Sequence, residues 1–175
     1  AAVFPIEEDL GLLFGSTDMG IVEMLIAHTL TGLVVDEDGV PLPGIDMNLY
    51  DSAGVTVELF NDDTDLQGAF SVVVPEGIFT VRHRDVSPTP GIERVNHEFA
   101  DLSIFSNLNL GTIVMPMGYR VQGTVAGSAG ELIVGADFDA KYAATGLPIY
   151  VSSDTTDATG SFDLLLPEGN LILEV

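Results

Sequence analysis

The sequence predicts an all-β chain, and three observations carry that expectation. Apolar residues alternate with period two, Gly and Pro break the pattern at short intervals, and a block of about ninety residues recurs along the 175-residue chain. A period of two sends apolar side chains to one face of a strand. Nineteen Gly and nine Pro, spread this evenly, leave little room for a long helix.

The strands follow in order. Ile45, Met47 and Leu49 alternate with Asp46, Asn48 and Tyr50; Phe70, Val72 and Val74 share a face, and Phe79 and Val81 continue after Gly77. Runs of five to eight such residues read as half-buried strands. Asp38-Gly39, Pro43-Gly44, Ala53-Gly54, Gln67-Gly68, Glu76-Gly77 and Pro90-Gly91 mark the turns between them. Only Glu7 to Phe14 and Ile21 to His28 admit a helical reading, and the repeat argues against it. The expected core is Met47, Leu49, Phe70, Val72, Val74, Phe79 and Val81, with Phe138, Phe162, Leu164 and Leu166 as equivalents further on.

The repeat is in five blocks. Met19-Gly20-Ile21-Val22-Glu23-Met24 recurs as Leu110-Gly111-Thr112-Ile113-Val114-Met115, 91 positions on. Leu30-Thr31-Gly32-Leu33-Val34 recurs as Val121-Gln122-Gly123-Thr124-Val125, and Gly44-Ile45-Asp46 as Gly135-Ala136-Asp137. Thr64 to Phe70 recurs as Thr156 to Phe162, and Pro75-Glu76-Gly77 as Pro167-Glu168-Gly169, both 92 positions on. One inserted residue reconciles the offsets. The chain therefore divides into residues 1–27, matching the tail of a unit, a whole unit at 28–118, and a second unit at 119–175 without its last strands.

The order of signals in the whole unit is distinctive. Leu30-Thr31-Gly32-Leu33-Val34-Val35-Asp36-Glu37-Asp38-Gly39-Val40-Pro41-Leu42-Pro43-Gly44 precedes Thr64-Asp65-Leu66-Gln67-Gly68-Ala69-Phe70, and Val74-Pro75-Glu76-Gly77-Ile78-Phe79-Thr80-Val81 follows. This pattern resembles the carboxypeptidase regulatory-like domain family. The resemblance implies tandem transthyretin-like (Ig-like) antiparallel β-sandwiches, seven-stranded and non-catalytic, of the kind carried by bacterial secreted or surface proteins. The second unit departs from it, with Gly127-Ser128-Ala129-Gly130 in place of the acidic Asp36-Glu37-Asp38-Gly39 turn.

Composition narrows the function. Twenty-seven acidic residues against five basic ones give a formal net charge of −22, which repels nucleic acid and anionic membranes. No run of eighteen apolar residues offers a membrane-spanning helix. The absence of Cys excludes disulfides and thiolate chemistry and fits an extracellular or cell-surface location. Ala1-Ala2-Val3-Phe4-Pro5 carries no Met and no signal-peptide pattern, as expected of a processed chain or a fragment.

Candidate sites are few. Asp62 and Asp65 recur as Asp154 and Asp157, an oxygen-rich loop that suits a calcium ion, although Asp and Thr also close turns on their own backbone. His28, His83 and His97 show no nucleophile or metal spacing, and His83 and His97 become ligands only if the fold brings them together. The cluster Arg82-His83-Arg84-Asp85 reads as pairing with surplus surface carboxylates. Lys141, the one lysine, falls opposite Tyr50 in the repeat, so the whole unit cannot form a Lys–Asn isopeptide bond. Tyr50, Tyr119, Tyr142 and Tyr150 suit either strand packing or a sugar-stacking face.

The expected function is a structural repeat, as spacer, stalk or filament subunit, without catalysis. Its partners are further repeats or other copies joined head to tail. Residues 1–27 hold spare strands, with Leu10, Leu12, Phe14, Met19 and Ile21 as the donor face for a neighbour's second unit. A carbohydrate- or protein-binding adhesion module, with calcium, is the alternative.

Overall fold

Ile45, Met47 and Leu49 are buried while Asp46, Asn48 and Tyr50 between them stay half-exposed, the two faces that alternation dictates. The structure, a computed structural model, describes residues 2–4, 21, 23–86 and 92–175. Its first eight strands are β1 (Ala2–Val3), β2 (Ile26–Val35), β3 (Ile45–Tyr50), β4 (Thr56–Val57), β5 (Ala69–Pro75), β6 (Gly77–Asp85), β7 (His97–Ile104) and β8 (Leu108–Val114). Five more follow: β9 (Gly118–Thr124), β10 (Asp139–Tyr142), β11 (Pro148–Ile149), β12 (Ser161–Pro167) and β13 (Leu171–Glu174). The described residues form no helix.

The first sandwich pairs two four-stranded sheets. In one, β2 lies between β5 on one side and β1 and β8 on the other; the second runs β4-β3-β6-β7. Leu30, Val34, Phe70, Val72, Val74 and Ile113 from the first sheet meet Ile45, Met47, Leu49, Phe79, Val81 and Ile104 from the second in one core. Every residue expected in this core is buried. The pairing departs from an all-antiparallel reading at one place: β8 runs parallel to β2, with a register break between Thr31 and Leu33. No tight hairpin joins these two strands, so nothing forces opposite directions. Instead the chain crosses from β7, at the edge of one sheet, to β8, at the edge of the other.

The second sandwich repeats this plan with fewer strands. β9 pairs β12, and β10 lies between β11 and β13. Phe138, Ala140, Val151, Leu164 and Leu166 form its separate core. Counterparts of β2, β5, β3, β4 and β6 are present, and nothing occupies the places of β7 and β8 among the described residues. Phe162, expected in the core, is only half-buried. In the first sandwich the His83 ring covers Phe70 at 5.4 Å between centroids. At the equivalent place stands the smaller, exposed Val175.

Candidate functional site

Four of the acidic positions are turn-formers. Asp36, Asp51, Asp65 and Asp157 each stand three residues before a Gly whose φ lies between 67° and 78°. In each case the Asp backbone carbonyl accepts that Gly N–H at 2.9–3.0 Å. The Asp Oδ1 accepts two further backbone N–H groups, for Asp65 those of Gln67 and Ala69, both at 2.9 Å. Asp157 takes Thr159 and Ser161 in the same way and also the Thr159 hydroxyl; these bonds, the hydroxyl's first, lower its pKa. A short acceptor next to a positive-φ Gly is what such a turn needs.

Where the second sandwich has Gly127 in place of Asp36, the Glu131 carboxylate reaches in and accepts the Ala129 N–H at 3.1 Å. Asp62 differs from Asp65: partial burial, then the nearby Asp46, Asp63 and Glu58, push its pKa up. Asp154 offers its backbone carbonyl to the Phe138 N–H at 2.9 Å. Among the described residues no three His, Cys, Asp or Glu side chains converge on one point that would hold a metal ion.

The structure does bring His83 and His97 together. They sit opposite each other on β6 and β7, with ring centroids 6.1 Å apart. Phe70 and Phe99 close the rest of the cluster. Both His83 nitrogens and His97 Nδ1 are buried without a hydrogen-bond partner. Burial, then the adjacent His97, holds the His83 pKa down to about 4. His83 is thus a neutral core residue, and the expectation that it pairs with surface carboxylates is corrected. An inward position on β6 decides it.

The basic residues gather between the two sandwiches. Arg82 lies over the Tyr50 ring of the first and the Tyr150 ring of the second, at 4.7 and 4.9 Å, and its Nε donates to Glu98 at 2.7 Å. That contact engages the rings of two of the four tyrosines, Tyr50 and Tyr150. Arg120 donates to Glu93 at 2.6 Å and pairs with Asp163 at 2.8 Å. Its bond lowers the Glu93 pKa, and Asp163, bonded by Gln122 and Arg120, is lowered too. Asn96 donates to the Ser152 hydroxyl at 3.2 Å.

Arg94 joins Asp36 at 3.2 Å and Glu37 at 2.8 Å, and Glu37 also accepts the Met117 N–H at 3.2 Å. Arg84, Arg94 and Arg120 line one polar cleft of about 440 Å³ with Glu93, Asn96 and Asp163. All four arginines of a chain with net charge −22 therefore stand at the junction. Lys141, the remaining base, pairs with Glu174 across β10 and β13.

A second cavity, about 660 Å³ and mainly apolar, opens at the end of the second sandwich between Tyr119 and Val121 of β9 and Leu171 and Leu173 of β13. Of the expected strand-donor face, Ile21 is exposed and outside any strand. Leu10, Leu12, Phe14 and Met19 lie outside the described residues.

No protein-family model matches this chain. No curated protein matches it in sequence either. Among solved structures it is similar to the Bacillus anthracis TIE protein at 18% identity and a TM-score of 0.39, over 86% of this chain and 29% of that one. A streptococcal ancillary pilin is similar at 19% identity and 0.37, over 96% of this chain and 62% of its own. Shaft pilin SpaA from Lactobacillus rhamnosus GG is similar at 13% and 0.32, over 81% and 82%. The chain thus spans less than two thirds of the first two.

Proposed function

We propose that this chain is a non-catalytic structural repeat of the extracellular or cell-surface kind, a spacer or filament subunit whose sandwiches are held at a fixed angle. In this reading residues 28–118 and 119–175 are two units of carboxypeptidase regulatory-like type, and residues 1–27 are closing strands for another unit. The observation that carries it is the junction. A strongly acidic chain places every arginine between its two sandwiches, and Arg82 bridges them through two aromatic rings. Ion pairs on an exposed surface contribute little each, but a network that includes a half-buried cation–π bridge between the two sandwiches restrains their orientation.

Residual dipolar couplings test this reading. Amides of 26–114 and 118–174 are expected to fit one alignment tensor. Two tensors of different magnitude would mean freely jointed domains. A saturable hit on a glycan array, abolished by substitution in one loop, would favour an adhesion module instead.

A further inference from the structure

We propose that Met47, His83 and His97 form a buried site for one soft, monovalent metal ion, Cu(I), inside the first sandwich. The site stands apart from the arginine junction and does not depend on the structural-repeat reading.

The three residues lie in one row across a sheet. Met47 on β3 is the register partner of His83 on β6, and His83 is the partner of His97 on β7. Residues paired in this way share a face, with Cβ atoms about 4.5–5.5 Å apart. His83 takes the inward place that follows Phe79 and Val81 along β6. Met47 is 1% exposed and His83 0% exposed, while His97 is half-buried.

A polar side chain held so deeply normally finds a hydrogen-bond partner. Both His83 nitrogens and His97 Nδ1 are buried with none. Their surroundings are aromatic: Phe70 and Phe99 lie 5.4 and 6.2 Å from His83, ring to ring, and Phe99 lies 4.6 Å from His97. A trapped water takes about three hydrogen bonds, and these walls offer it two imidazoles. Nor does the fold need these residue types. The second sandwich carries Phe138 and Val175 where the first has Met47 and His83, so both donors are replaced together by apolar side chains.

An ion between the rings answers the unpaired nitrogens. Two imidazoles sharing one ion at about 2.0 Å from each nitrogen have centroids no more than about 6.3 Å apart. These centroids are 6.1 Å apart, which suits an ion held nearly in line between them. Burial lowers the pKa of both histidines, so at neutral pH each ring is uncharged and donates a lone pair without losing a proton. The Met47 thioether adds a third, soft donor. Imidazole and thioether together select Cu(I). A structural zinc ion takes four donors, and the carboxylate beside the pair, Glu98, is held by Arg82 at 2.7 Å. One positive charge costs less to bury than two, and the neighbouring Phe rings favour it.

The ion also has a way in. His97 lines a cavity of about 220 Å³ at the junction, together with Asn96, Glu98, Tyr142 and Tyr150. A net charge of −22 draws cations toward the surface.

The test is competition for Cu(I), supplied without oxygen as its coloured complex with bicinchoninate. The full chain is expected to withdraw one ion per molecule, and His83→Val and His97→Phe none. Met47→Leu is expected to bind about tenfold or more weakly. His28→Gln, which alters the histidine paired with Glu76, is expected to bind as the wild type does. Each variant is first shown to melt cooperatively. Imidazole nitrogen shifts of the unaltered chain give a reading that needs no variant: Cu(I) is expected to move His83 and His97 and leave His28 in place. The site as drawn is overturned by no withdrawal of Cu(I), by withdrawal that survives in His83→Val, or by an undiminished affinity in Met47→Leu. Shifts at His28 instead, or Zn(II) held by the two histidines in preference to Cu(I), overturn it equally.

Discussion

The Phe70 ring lies across Gly32, its partner on β2, so closely that a Cβ at Gly32 would stand 2.6 Å from Cζ. Phe162 repeats the arrangement over Gly123, at 2.7 Å. The missing side chain is what lets each aromatic ring cross the neighbouring strand and close the core. Gly32→Ala must push Phe70 against His83, and is expected to cost about 1–3 kcal/mol in urea unfolding. Gly123→Ala, beside the less covered Phe162, is expected to cost less.

The Asp65 turn makes a second prediction. Asp65→Ala removes the acceptor for two backbone N–H groups and is expected to cost about 1 kcal/mol, whereas Asp65→Asn keeps an oxygen in place and costs less. CaCl2 is expected to raise the melting temperature no more than NaCl at equal ionic strength. An additional shift from calcium, lost in Asp62→Asn, would show a bound cation.

His83 gives the fold a dependence on pH. Its folded pKa of about 4 lies below its ordinary 6.5. Between those values the unfolded chain takes up a proton that the folded chain refuses. Stability is therefore complete above about pH 6.5 and falls as pH drops, with about 3 kcal/mol lost below pH 4 from this one group. His97, also lowered by burial, acts in the same direction. Protonation of surface carboxylates relieves repulsion and opposes the trend, so the comparison is between variants. His83→Val, the residue that the second sandwich carries at this place, is expected to flatten the wild type's loss of stability between pH 6.5 and 4.

Much of this fold was legible because the repeat exposes it twice. The recurrence of the Gly32 block at Gly123 and of the Phe70 block at Phe162 marks strands, faces and turns from local pattern alone. Alternation carries no direction, so the parallel pairing of β8 with β2 could not be read from it. In sequence the Asp65 and Asp157 carboxylates suit a turn first and a cation second; the fourfold Asp-x-x-Gly spacing, which ties each carboxylate to its own turn, is the signal for the first. The meeting of His83 and His97 depends on one β6–β7 register, and the Arg82 bridge on a residue 68 positions away in the other sandwich.

The claim that the sandwiches form one rigid body stands or falls on small-angle scattering. The measurement compares the chain, diluted until it is monomeric, with the same chain carrying Arg82→Ala and Arg120→Ala. The account predicts a single scattering envelope of fixed length for the first and a larger radius of gyration for the second, with both melting alike. Identical scattering from the two, or a broad ensemble already present before the arginines are removed, would contradict it.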